Sequence, residues 1–575
     1  MKEKIIRSAL GLEKSDLVLK NTRTVNVFTG QILEDSIAIT DGIIAGFGDY
    51  EGREEIDLKG KYVLPGLIDS HIHIESTMAI PSVLSPVLLS KGVTTIIADP
   101  HEIVNAAGRD GLDFMLEDAA RSDIDIFFMV PSSVPSCDFE MNGAGTFSAE
   151  QMKAYADNPL ILGLGEVMRF NDVLDQNGEM MKRLDLFSEK VTDGHAPGLS
   201  GKQLNAYRAA GVETDHEAIT VKEAIERLQN GFALLMREGS GARNVKTLLC
   251  GLLERNISLY NCCFCTDDKH LEDIIEEGTI ILCLKEAVEC GCDPVEAVRM
   301  ATLNPARTFG LKTRGAIAPG YDADLVVVDD LKDFKIDCVF RHGRLFDLGH
   351  ARESALNNVP EALRHSVKIP EITSEELLSL LPEGEQVVIE MVPEQLQTIK
   401  RIEDVQEPSQ KYNLLLAAER YGKKGSYAAA LLKGFNLKNG AIASTIAHDS
   451  HNVIAAGDNA EDLLMAVKRL EEIEGGLVLV ENGEVCEELS MPAGGLMSAE
   501  NPEFLEQKIR KMKAKARAMG VPEGIDPFAN LSFLSLPVIG EVRLTTEGIY
   551  DFGLQKFIRN DGSVVEESEQ GQFKM

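Results

Sequence analysis

Eight short apolar runs, each ending in polar residues, recur between residues 62 and 268 of this chain. They are YVLPGLIDSHIH (62–73), GVTTIIADPHE (92–102), IDIFFMVPSS (124–133), LILGLGEV (160–167), EKVTDGHAPG (189–198), GVETDHE (211–217), GFALLMREGS (231–240) and ISLYNCCFCTDD (257–268). Most gaps carry helix-like stretches such as GLDFMLEDAARS and TVKEAIERLQN. Strands of buried type alternating with helices over about 250 residues match a (β/α)8 TIM-type barrel in count and length. The competing arrangement is an open, doubly wound sheet. The polar residues at the C-terminal end of every run favour the barrel, because barrel chemistry sits at that rim.

The flanks have another texture. DLVLKNTRTVNVFTGQILEDSIAITDGIIAGFGDYEG and, much later, GAIAPGYDADLVVVDDLKDFKIDCVFRHGRLF alternate apolar and polar residues between turn residues, as hairpins do. Two such pieces around a long middle predict one small β-sandwich domain built from residues 1–61 and 312–350 around a barrel of residues 62–311. Residues 351–575 mix strand and helix signals and read as a linker leading into an α+β domain. The terminal SVVEESEQGQFKM reads as frayed.

Composition narrows the function classes. Acids outnumber bases 92 to 58, a net charge of −34, which argues against tracking nucleic-acid phosphates or an anionic membrane. No run of apolar residues is long enough to span a bilayer, and the first 20 residues lack the apolar core of a secretion signal. A cytoplasmic address is expected. The ten cysteines are irregularly spaced and are expected to be reduced thiols.

The strand-end polar residues carry the chemistry. Alternation puts His71 and His73 on one face of a strand, where two neutral imidazoles can hold a divalent metal. Alone this pair is a weak signal. Later strand ends add Glu166, His195, His216 and the adjacent acids Asp267 and Asp268, and four of the eleven histidines fall at these ends. Asp99, His101 and Glu102 crowd the second. Four imidazoles with two carboxylates suit a pair of borderline divalent cations, iron, manganese or zinc. One carboxylate must then bridge, and Glu166 lies between the histidine pairs in strand order.

Three longer segments extend the pattern. VLPGLIDSHIHIES, MATLNPARTFGL and RGAIAPGYDADLVVVD resemble the amidohydrolase superfamily, and DSHIHIESTM, ADPHEI, TDGHAPGLSG, ETDHE and CTDDKH together look like its adenine deaminase family. The resemblance spans nearly the whole chain, including a C-terminal domain of this kind. It implies that His71, His73 and Asp267 hold one metal, His195 and His216 the second, and that Glu166 bridges where many relatives use a carbamylated lysine. It implies hydrolysis of adenine, a small purine base, to hypoxanthine and ammonia. Asp267 is then the general base turned acid, Glu217 the proton source for ring N1, and Asp99, His101 and Glu102 line the purine edge or shuttle protons. A homo-oligomer is the expected assembly. Another cyclic amidohydrolase activity is the alternative, and a silent binding module is disfavoured because every ligand position is filled.

Other features have plainer readings. Cys262, Cys263 and Cys265 read as small hydrophobes on a strand. His448 and His451 in AHDSHNV are either a second metal site or a polar loop. Arg237 and Glu238 either bind substrate or pair with each other. The basic run KIRKMKAKARAMG reads as a solvated helix face.

Overall fold

The computed structural model describes residues 2–347, 355–406 and 411–565. The run expected to fray therefore lies, from residue 566 onward, outside the described residues.

The middle of the chain forms two arcs of parallel strands. The first contains β1 (Leu67–Ile72), β2 (Val93–Ala98), β3 (Asp125–Val130), β4 (Ile161–Val167) and β5 (Val191–Gly194), side by side in that order. The second contains β6 (Thr214–Asp215), β7 (Ala233–Arg237) and β8 (Cys262–Cys265). Backbone bonds join the arcs at both ends. Glu213 N–H donates to the Thr192 carbonyl and Asp267 N–H to the His71 carbonyl, each at 2.9 Å. Strand β1 thus neighbours β8, and the parallel sheet curls into a TIM-type fold. Strands β1, β2 and β8 are buried along their whole length, so they read as apolar runs rather than as alternating strands.

The connecting helices start with their own signals. Helix Val221–Gln229 opens with a capping box in which the Thr220 side chain accepts the Glu223 N–H and Glu223 reaches back to Thr220. Its inner face buries Ala224 and Arg227.

A separate eight-stranded sheet draws strands from Ser15–Pro65 and from Leu325–Leu345. Strand Leu325–Val328 runs antiparallel to Tyr62–Pro65, and Leu19, Ile37, Val63, Leu325 and Phe340 share one apolar cluster. Farther along, strands between Gly384 and Ser490 form a second eight-stranded sheet, antiparallel but for one pair. Helix Ala460–Glu472 packs on it through Leu463, Ala466, Val467 and Leu470. This C-terminal region also touches the barrel. Ser498 exchanges backbone bonds with Met78 and Ile80, and Asn452 Nδ2 donates to the Met141 carbonyl at 2.6 Å.

Two expectations change. Cys250 and Cys290 are joined by a disulfide, so the thiols are not all reduced. The partners sit on helix Val245–Glu254 and just after helix Ile280–Glu289, 40 residues apart, and packing of the two helices brings them together. Replacing both by Ser is expected to cost about 2–4 kcal/mol, the usual worth of a bridge across a loop of this size. Denaturant titration of the variant beside the oxidised protein measures it. The basic helix, Pro502–Ala518, is the second change. It is tied by carboxylates: Lys508 to Glu487 at 2.7 Å, Arg510 to Glu276 at 2.8 Å, Lys515 to Glu481 at 2.6 Å. Cys263 and Cys265 do share one face, with Cys262 on the other, and burial pushes the Cys263 thiol up to about 12, so it stays protonated. Among the described residues no helix is long and apolar enough to cross a membrane.

Candidate metal centre

The C-terminal ends of the strands converge. His71 Nε2 and His73 Nε2 lie 3.1 Å apart at the end of β1, as the shared face of residues i and i+2 dictates. Asp267, just past β8, places Oδ1 3.1 Å from His73 Nε2 and 3.6 Å from His71 Nε2. Across the mouth, Glu166 near the end of β4 has Oε2 2.8 Å from His195 Nδ1 and 3.3 Å from His216 Nε2. Its other oxygen, Oε1, is 3.4 Å from His73 Nε2. Glu166 therefore faces both histidine pairs, one oxygen to each. His71, His73 and Glu166 form one set of converging ligand atoms and Glu166, His195 and His216 another, each set spanning no more than 4.8 Å. Asp268 turns away, its Oδ1 accepting from Ser76 Oγ at 2.5 Å.

Supporting bonds hold these groups. His71 Nδ1 is 2.7 Å from Asp193 Oδ2, and His73 Nδ1 is 3.0 Å from the Asp99 carbonyl, which leaves both Nε2 atoms pointing at the mouth. Asp99 Oδ2 accepts the Glu166 N–H at 2.7 Å. This contact requires the glycine before Glu166, since a Cβ on Gly165 would fall 2.3 Å from that same Asp99 oxygen. Tyr207 accepts the His195 N–H at 3.0 Å and donates to the Val167 carbonyl at 2.8 Å, fixing the ends of β4 and β5 together.

The donor set fits a divalent cation. Asp99, Glu166, Asp193 and Asp267 are buried at one rim beside the half-buried Glu217, and Arg237 is the permanent positive partner of Glu217 and Asp267. Burial opposes charge on His71 and His73, yet Asp193 and Asp267 outweigh it and raise both well above the ordinary imidazole range. The same balance pushes His195 up to about 9, with Glu217 and Glu166 as the cause. The rim thus draws positive charge in, and cations replacing those protons satisfy it. Asp99 Oδ1, His101 Nδ1 and His216 Nδ1 are buried without a hydrogen-bond partner among the described residues.

The matches to known proteins agree with this geometry. Residues 62–346 match the amidohydrolase family and residues 387–556 match the adenine deaminase C-terminal domain. A relative called adenine deaminase from Desulfitobacterium hafniense is 44% identical over 566 residues, covering 97% of this chain and 98% of that protein. The chain belongs to the adenine deaminase family. Further relatives of that name are 41% identical in Geobacillus kaustophilus (96% of this chain, 98% of the relative) and 39% identical in Bacillus subtilis (94% and 96%). It is accordingly a hydrolase of carbon–nitrogen bonds other than peptide bonds, and its converging His, Asp and Glu groups could hold the divalent metal that the amidohydrolase family suggests.

The remaining residues of this family member's mouth fall as follows. Glu217 lies 3.5 Å from His216 Nε2 and 3.6 Å from His195 Nδ1, and it receives both terminal nitrogens of Arg237, at 2.5 and 3.2 Å. Arg237 also donates to Asp267 Oδ2 at 2.9 Å. It does not pair with Glu238, which takes the Val245 N–H and faces Arg243. Adjacent strand residues point to opposite faces, so the neighbours were never suited to each other. His101 Nδ1 is 3.3 Å from Glu166 Oε1, while Glu102 faces His448 and His451 of the C-terminal region. Asp193 was not singled out from the sequence. It stands two before His195, the same spacing that marked His71 and His73, and that signal was available.

Proposed function

We propose that this chain hydrolyses adenine at C6 to hypoxanthine and ammonia, in cytoplasmic purine salvage, at a pair of divalent cations, manganese or iron before zinc. The carrying observation is one carboxylate, Glu166, facing two histidine pairs at a single strand rim, in a chain of this family. His71, His73 and Asp267 would hold one cation and His195 and His216 the other, with Glu166 placed to reach both. Divalent cations held there would supply a nucleophile at neutral pH by lowering the pKa of water from about 15.7 toward about 7.

The chain's own residues do the rest. Asp267, with one oxygen toward His71 and His73 and the other on Arg237, takes the proton that the water loses as it adds to C6. It then returns that proton to the leaving amino group. Glu217 serves ring N1. Burial alone would raise its pKa, but Arg237, His195 and His216 hold it below the usual carboxylate range. Glu217 is therefore ionised at rest and must take up a proton before it can deliver one. Asp99 and His101 serve the purine edge and the proton traffic beside it, whereas Glu102 turns toward His448 and His451. The sheet formed by both flanks is read as a small sandwich domain docked to the barrel, and the working unit as a homo-oligomer.

The test is ammonia release from adenine, adenosine and cytosine, and amine release from N-acyl substrates, with metal analysis of the same preparation. Release from adenine alone, with hypoxanthine formed in equal amount, is the expected result. Ammonia only from another ring, or a freed amine only from an N-acyl substrate, overturns this reading in favour of a different cyclic amidohydrolase. Dialysis against a chelator is expected to abolish the activity, and Mn2+ or Fe2+ to restore it.

A further inference from the structure

A second group of ligating side chains lies where the barrel mouth meets the C-terminal region. Glu102 Oε2 is 3.3 Å from His451 Nε2, and Glu102 Oε1 is 3.7 Å from His448 Nδ1. The two histidines come from the turn between strands Gly440–Ser444 and Val453–Gly457, whereas Glu102 sits in the first turn of the helix that follows β2. None of the roles assigned to the mouth uses either histidine.

We propose that Glu102, His448 and His451 form a third divalent-cation site that pins the C-terminal region to the barrel rim. The three side chains offer ligand atoms within 4.8 Å of one another, and all three are buried. Glu102 is 1% exposed and His451 0%, yet among the described residues Glu102 Oε2 and His451 Nε2 have no hydrogen-bond partner, and neither has Asp449 Oδ2 beside them. Buried polar atoms that face one another without bonding leave a large cost unpaid unless something sits between them.

Charge points the same way. Asp268 lies in the same pocket, joined to Glu102 through the Ser76 hydroxyl. Among the described residues the ion-pair partners of Glu102 are both histidines, with no Lys or Arg. Two imidazoles and a carboxylate suit a borderline divalent cation such as zinc or manganese, with water completing the shell. The His448 ring is held for this by stacking on Phe533, centroids 4.5 Å apart. A cavity of about 20 Å³ lined by Ser76, Asp268, His448 and Phe533 adjoins the cluster, room for one water molecule. Loading puts the proton of His451 on Nδ1, so the 3.3 Å contact from the Ala447 N–H to that atom gives way.

The test counts ions and does not depend on which substrate the enzyme turns over. Full-length protein is stripped with chelator, titrated with Mn2+, and its bound metal measured after desalting, for wild type, His451→Gln and His448→Gln. Wild type is expected to saturate at about three ions per chain and each folded variant at about two. Equal stoichiometry in wild type and variants overturns the proposal, and a loss of about one ion in each folded variant supports it whatever the wild-type total. Circular dichroism reports folding. Should one variant misfold, the other decides by the same count.

Discussion

Exchanging Asp267 for Asn is expected to lower turnover on adenine by about three orders of magnitude or more, the range of a lost general base. The substitution keeps the shape of the side chain but removes its capacity to accept the water's proton. It also weakens the electrostatics around it. Asp267 Oδ1 faces both His71 and His73, and Oδ2 neutralises part of Arg237. In the variant Arg237 keeps only Glu217, at 2.5 Å. Metal content must therefore be measured beside the rate. A variant that retains its cations and binds adenine by calorimetry, yet turns it over at least a thousandfold more slowly, assigns the proton transfer to Asp267. Unchanged turnover would remove Asp267 from the mechanism.

Much of the fold was legible because both faces of the barrel strands are buried, which gives runs such as GVTTIIA and NCCFC, and because polar residues gather at one end of each. His71 and His73 followed from alternation alone. What stayed hidden depends on contacts that no spacing encodes. Arg237 seemed a natural partner for Glu238, its neighbour, yet the strand turns them to opposite faces and the guanidinium meets Glu217 and Asp267. Cys250 and Cys290 meet only because their two helices pack side by side. Glu102 lies at the barrel rim and His448 and His451 deep in the C-terminal region, so their meeting needed the docking of one on the other. Which of Asp267 and Asp268 turns inward was likewise a matter of backbone path. Asp267 adopts a left-handed φ of 58°, bridging to Ile72 of β1, and this directs the two carboxylates apart.

Replacing Arg227 by Met is expected to cost about 3–5 kcal/mol of stability, because it strands a buried charge. Arg227 is fully buried on the inner face of helix Val221–Gln229. Its Nε donates to Asp215 Oδ2 at 2.9 Å, and its two terminal nitrogens donate to the carbonyls of Leu199 and Ala196 at 3.1 and 2.6 Å. Asp215 in turn accepts the Ala196 N–H at 2.9 Å. One guanidinium thus ties the residue before His216 to the loop after His195, and so sets the spacing of that histidine pair. Loss of Arg227 leaves Asp215 buried without a cation, and the loop loses two of its anchors. Cation affinity at His195 and His216 should fall along with stability. A second variant separates the two effects. Arg227→Met with Asp215→Asn removes the stranded charge, so it is expected to regain part of the lost stability while leaving the loop slack and the metal weakly held. Denaturant titration and metal analysis of the single and double variants read the two quantities independently. Strictly additive losses in stability would mean that Arg227 and Asp215 do not act as a pair.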